Sequence, residues 1–145
     1  IARFINGHAD PEMTKQYREN FKPSVQFSKP IALLAITVLC AETEEKAAQM
    51  RKLSDYNLLQ FEKGIFEPMN SYETIAAYEF SEDEKMRIHN NNGRIVSGTP
   101  VQVKEQLTTL AKDFGVDEII ITTMTYSKKD RLDSFKLLAK EFGLY

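Results

Sequence analysis

The sequence predicts an α/β fold built from consecutive parallel strand–helix units. Two observations carry this. Residues 31–40, Ile-Ala-Leu-Leu-Ala-Ile-Thr-Val-Leu-Cys, are apolar at odd and even positions alike. A parallel strand covered on both faces reads this way, whereas a half-exposed antiparallel strand alternates. The apolar runs also take turns with capped helix starts, and strands alternating with helices imply right-handed crossovers and a parallel sheet.

The elements follow in order. Residues 1–5 are apolar and β-branched at both ends and predict a strand. Asn6-Gly7-His8-Ala9 reads as a loop. Asp10-Pro11 opens a helix, because Asp caps free amides and Pro at the first helical position lacks one to cap. Met13, Tyr17 and Phe21 give that helix one apolar face at i, i+4, i+8. Pro23 and Pro30 bracket a connection to the strand at 31–40. Thr43 with Glu44 and Glu45 starts the next helix, with acids where the helix dipole favours them.

Residues 62–94 form a less regular insertion. Gly64 and Pro68 interrupt it, Ser71 and Ser81 are plausible caps, and Ser81-x-x-Glu84 is a capping box. Two short helices are predicted there, ended by Asn90-Asn91-Asn92-Gly93. Thr99-Pro100-Val101-Gln102 is a second capping box, and Val103, Leu107, Leu110, Ala111 and Phe114 follow as one apolar stripe. Gly115 supplies a left-handed stop. Residues 118–124 predict a strand. Ser127-x-x-Asp130 caps a last helix, with Leu132, Phe135, Leu138, Ala139 and Phe142 predicted inside.

Three main strands, at 1–5, 31–40 and 118–124, are few for such a sheet and would leave apolar edges that proteins normally cover. A (β/α)8 barrel needs at least about 200 residues, and the chain has 145. Either a small three-layer domain or the last part of a barrel fits, in a single domain spanning 1–145. The opening at Ile1, with residues 1–5 already reading as structure, points to sequence upstream.

Composition narrows the function. A net charge of −2 gives no electrostatic footprint for nucleic acid. The longest apolar stretch, 31–40, is about half of a membrane span. Cys40 is the single cysteine, so no disulfide forms within the chain, and a reducing compartment such as the cytoplasm fits. No His-Glu-x-x-His, Walker loop, Gly-x-Ser-x-Gly elbow or paired Cys/His spacing is present.

Four segments then run in a familiar order: Tyr78-Glu-Phe-Ser-Glu-Asp-Glu84, Ile95-Val-Ser-Gly-Thr-Pro-Val-Gln-Val103, Phe114-Gly-Val-Asp-Glu-Ile-Ile-Ile121 and Thr125-Tyr-Ser-Lys-Lys-Asp-Arg-Leu-Asp-Ser-Phe-Lys-Leu-Leu-Ala139. Together they resemble the C-terminal end of the bacterial-luciferase-like, flavin-dependent monooxygenases. Phe4-Ile-Asn-Gly-His-Ala9 resembles the sixth strand of that family's barrel, and residues 31–44 its seventh strand and exit. The resemblance implies the C-terminal part of a (β/α)8 TIM barrel, a flavin cofactor such as FMN, and a small organic substrate oxidised with O₂. It also implies that about five strand–helix units, including a serine-containing phosphate grip, lie outside this chain. Ser134-Phe135 stands where the family more often has Ser-Tyr.

Within that resemblance, His8 is the candidate catalytic residue. It follows a strand end, where barrel enzymes carry their working loops, and an imidazole there would hydrogen-bond a flavin or its oxygen adduct; the alternative is a polar turn residue. Gly98 and Thr99 open a helix whose free amides would take a phosphate, or else form an ordinary cap. Cys40 would approach the flavin, or else is a small core residue. Thr122, Thr123 and Thr125 end the last strand, and at least one is expected to face the pocket; Thr123 is the representative cofactor-binding candidate. No metal site is expected.

Two functions compete: a flavin-dependent monooxygenase in truncated form, and a non-catalytic remnant that binds flavin or only self-associates. The exposed strand edges of a partial barrel predict a homo-oligomer, most simply a dimer.

Overall fold

The computed structural model describes residues 1–144. Six helices surround a small sheet: α1 (Glu12–Glu19), α2 (Glu44–Glu62), α3 (Tyr72–Ala76), α4 (Glu82–Asn91), α5 (Pro100–Phe114) and α6 (Lys128–Glu141). The strands are β1 (Leu33–Cys40), β2 (Ile95–Gly98) and β3 (Glu118–Thr122). All pairings are parallel, in the order β2-β1-β3. This is the α/β architecture of a barrel segment.

The helix starts form for the predicted reasons. Asp10 Oδ1 accepts the Glu12 N–H at 2.8 Å. The Thr43 hydroxyl accepts from Lys46 N at 3.2 Å, and the Ser127 hydroxyl from Asp130 N at 3.0 Å. Ser81 and Glu84 close a reciprocal capping box. Gly115 ends α5 at φ 60°, the left-handed conformation that favours glycine. The insertion contains the two expected short helices, α3 and α4.

Three expectations are corrected. Residues 1–5 are not a strand. Only Ala2 bridges to β1, in parallel with Ala35, and the Ile5 and Asn6 amides fold back to the Ala2 carbonyl at 3.0 and 3.2 Å. The reason lies in β1: from Thr37 onward its edge on that side is paired with β2, starting at Ile95. That leaves no edge for residues 5–9 to extend along. The second correction is β2 itself, which the sequence reading treated only as the entrance to a helix.

The third correction concerns the amphipathic faces. On α6 only Ser134 and Leu138 are buried, while Leu132, Phe135 and Phe142 are exposed. On α1, Met13 and Tyr17 are exposed and Thr14 is buried, its hydroxyl donating to the Phe114 carbonyl at 2.7 Å. Helical periodicity found the apolar stripes, but the fold buries the faces that carry Thr14 on α1 and Ser134 and Leu138 on α6.

The order of parallel neighbours is informative. The segment through Ala2 lies on one edge of β1, and β3 on the other. β2 joins β1 on the same edge as Ala2, further along the strand, so β2 and β3, consecutive in sequence, are separated by β1.

Candidate functional site

The sheet has two unlike faces. Ile36, Val38, Cys40 and Val96 point to α5 and α6 and pack on Val103, Leu107 and Leu138. Side chains alternate along a strand, so Leu33, Ala35, Thr37 and Leu39 point the other way. At the C-terminal end of that second face, Leu39, Ala41 and Ile95 are closed over by Ala47 and Met50 of α2, with Tyr72 packed alongside. Below this cover the face opens. Ala35 pairs in register with Ile120 and Thr37 with Thr122. Ile120 is 47% exposed. The Thr37 and Thr122 hydroxyls are hydrogen-bonded to each other at 3.1 Å. The result is an apolar floor with a hydroxyl pair at its upper edge.

At the C-terminal strand ends this floor meets a polar and aromatic rim. The Tyr72 hydroxyl donates to Asp130 Oδ2 at 2.6 Å, and Lys46 Nζ lies 3.1 Å from the same oxygen. Lys46 Nζ also sits 3.8 Å from the centroid of the Tyr72 ring, a cation–π contact. Tyr126 meets Tyr72 edge to face at 5.8 Å. Burial, and then the bond to Asp130, push the Tyr72 phenol pKa up. Burial alone would raise the Asp130 carboxyl, but hydrogen bonds from Tyr72, Lys46 and Ser127 outweigh it and hold it below its ordinary value. Beside the rim lies a depression of about 190 Å³ lined by Cys40, Glu42, Lys129 and Asp133.

The residues singled out in the sequence distribute as follows. His8 is exposed in the loop after Ala2, its backbone N–H donating to Asn6 Oδ1 at 3.1 Å. Neighbouring Gly7 packs against Gly93 and Arg94, at the entrance of β2. Cys40 and Gly98 are register partners at the other end of that strand. Cys40 is buried, and desolvation, reinforced by the charge of Glu141, pushes its thiol up to about 11. Thr123 is buried, and its hydroxyl donates to the Val38 carbonyl at 2.9 Å. Thr125 donates to the Ser127 carbonyl at 2.8 Å. Of the three threonines, Thr122 is the one on the open face.

The helix start at Gly98-Thr99 is already engaged. Gln102 Oε1 accepts the Thr99 N–H at 3.0 Å, and Gln102 Nε2 donates to Glu44 Oε1 at 2.7 Å. A carboxylate one hydrogen bond away makes this a poor place for a phosphate. Gly98 serves the fold: its φ is 152°, and a Cβ there would meet Gln102 Oε1 at 2.8 Å.

The sequence reading missed the Lys46–Tyr72–Asp130 group. Its members come from three separate helix starts, and no local spacing links them. Two other clefts exist. One of about 430 Å³ lies between Arg3, Gly93 and α5. One of about 590 Å³ runs between α2, α4 and the end of β2, with Phe80 and Ile88 facing Ser97. Arg51 and Asp55, paired at 2.9 Å, border the second. Among the described residues no group of three or more His, Cys, Asp or Glu is placed to hold a metal, and no helix is long and apolar enough to cross a membrane.

No family model matches the chain. Known proteins do. The uncharacterized protein YwcH of Bacillus subtilis (strain 168) is 41% identical over 144 residues, which is 99% of this chain and 43% of YwcH. A luciferase-like monooxygenase of Escherichia coli (strain K12) is 23% identical over 138 residues, 90% of this chain and 40% of that protein. The crystal structure of apo-MsnO8 superposes with a TM-score of 0.88 at 27% identity, over 99% of this chain and 44% of the other. The chain thus spans less than half the length of the proteins it matches, a share that fits a C-terminal piece.

Proposed function

We propose that this chain, a relative of the luciferase-like monooxygenases matching the C-terminal part of their fold, forms one side of the pocket of a flavin-dependent monooxygenase acting on a small organic substrate. The observation that carries this reading is the open face of β1 and β3, rising to the Tyr72–Tyr126 rim at the C-terminal strand ends. Barrel enzymes place their chemistry at that end.

The residues present fit one side of a flavin ring. Ala35 and Ile120 offer an apolar surface to a planar ring, and Thr122, held by the buried Thr37, offers a hydroxyl at its edge. They do not supply a phosphate grip. At the rim, Lys46 is paired with Asp130 and Lys129 with Asp133, and the α5 start faces Glu44. When bound, a reduced flavin such as FMN supplies the oxygen chemistry. This chain's residues exclude water from one side of the ring, orient it, and offer the Thr122 hydroxyl, positioned by Thr37. His8 stays the proposed hydrogen-bonding partner of the flavin or its oxygen adduct, carried on an exposed loop beside the entrance of β2. We place the protein in the cytoplasm, on its single buried thiol.

A second reading, a flavin-binding or self-associating protein without turnover, is favoured by the exposed apolar residues of α1, α6 and β3. A fluorescence titration with FMN, beside an assay with a flavin reductase and O₂, separates the two. Affinity depends on enclosing most of the ligand. The isolated chain should therefore bind FMN with a Kd of about 100 μM or weaker, roughly −5.5 kcal/mol, and turn over little. Submicromolar binding with turnover would show that the chain works alone. No binding at millimolar chain would defeat the flavin reading.

A further inference from the structure

We propose that Asp130 is the positioning residue of this site: it holds the Tyr72 ring, and with it α3 of the insertion, against Tyr126 at the mouth of the open face. The consequence for a ligand rests on the flavin reading above; the positioning itself does not.

Helix α3 has five residues, far below the length at which a helix is stable alone. Its seat therefore depends on its ties. Ile75 is buried, and Lys52 Nζ donates to the Ala76 carbonyl at 2.7 Å, but Lys52 belongs to α2, the helix on the same side. The tie that crosses to α6 is made by Tyr72 and Asp130 at 2.6 Å. A neutral phenol donating to a carboxylate is a charge-assisted bond, stronger and shorter than a neutral one. Lys46 of α2 joins the same carboxylate and also covers the Tyr72 ring.

One carboxylate thus gathers α2, α3 and α6 around the strand ends. It is itself fixed, because the Ser127 hydroxyl accepts its backbone N–H. The ring held in this way packs against the Leu39–Ala47–Met50 cluster and Tyr126. Without the bond, the phenol loses its partner at the rim and α3 is held from one side only.

The test uses the whole chain with three variants, Asp130→Asn, Tyr72→Phe and the double change. Amide exchange across residues 72–76 should rise about tenfold or more in each single variant, as expected for loss of a charge-assisted hydrogen bond. The double variant should add little, since both changes remove the same bond. Absorbance titration of the phenols adds a signature that a general loss of stability would not give. The Tyr72 phenol, held up by burial first and by Asp130 second, should ionise at lower pH in Asp130→Asn than in the parent chain. Exchange unchanged within twofold, or a phenol titration that is the same in Asp130→Asn as in the parent, overturns the proposal. FMN then tests the dependent claim: its fluorescence should be quenched by the parent chain and less quenched by Asp130→Asn. If the parent binds no FMN while exchange and titration behave as stated, the flavin reading fails and the positioning role stands.

Discussion

The Ser134 hydroxyl on α6 accepts the backbone N–H of Cys40, at the end of β1, at 3.0 Å and across 94 positions of sequence. Ser134 is fully buried. The last helix is thereby stitched to the strand end that carries the rim, which explains why a small hydroxyl residue stands in an otherwise apolar packing layer.

Ser134→Ala should therefore cost about 1–3 kcal/mol, the penalty of leaving a buried amide unsatisfied. Denaturant melts measure it. The same burial predicts that Cys40, with a thiol pushed up to about 11, resists iodoacetamide in the folded chain near neutral pH and reacts only on unfolding. A modified Cys40 in otherwise native protein would contradict its place in the core.

Acid should loosen the insertion first. Glu84 accepts from Lys63 Nζ at 2.8 Å, Ser81 N at 3.0 Å and Tyr78 OH at 3.0 Å. The bond from Lys63, then that from the Ser81 backbone, hold its carboxyl down at about 2 against an ordinary 4.5. A depressed carboxyl stabilises the fold above its unfolded pKa, and the contribution is lost as pH falls toward the folded value. Near-UV circular dichroism of the Tyr56–Tyr78–Phe80 cluster should weaken between pH 4.5 and 2. Glu84→Gln should flatten that dependence.

Self-association is expected from the uncovered apolar residues. Leu132 and Phe135 on α6, Phe142 just after it, Met13 and Tyr17 on α1, and Ile120 on the sheet are all exposed, and exposed apolar patches favour association. Sedimentation at micromolar concentration should give more than the 16.7 kDa of one chain. A clean monomer would contradict the expected dimer.

What the sequence made legible was chemistry confined to a few neighbouring residues. Thr43, Ser81 and Ser127 cap as read, Gly115 takes the left-handed stop, and the two-faced run at 31–40 becomes the central strand. Residues 1–5 have strand composition but pair with β1 only around Ala35, since β2, from Ile95, takes the same edge from Thr37 onward; that competition is tertiary. β2 is four residues long and too short to announce itself by periodicity. The phase of Thr122 and Thr123 needed the register with β1, which placed the first on the open face and the second against the Val38 carbonyl. The Lys46–Tyr72–Asp130 rim joins positions up to 84 apart through folding alone.

The most direct measurement is a map of where FMN touches the chain, by amide and methyl chemical shifts in a titration at millimolar ligand. Perturbations should concentrate on Thr37, Ile120, Thr122, Tyr126 and Tyr72, with the α5 start at Thr99 unaffected. Shifts confined to the α2–α4 cleft near Phe80 and Ile88, or none on the open face, would contradict the assignment of that face as one side of a flavin pocket.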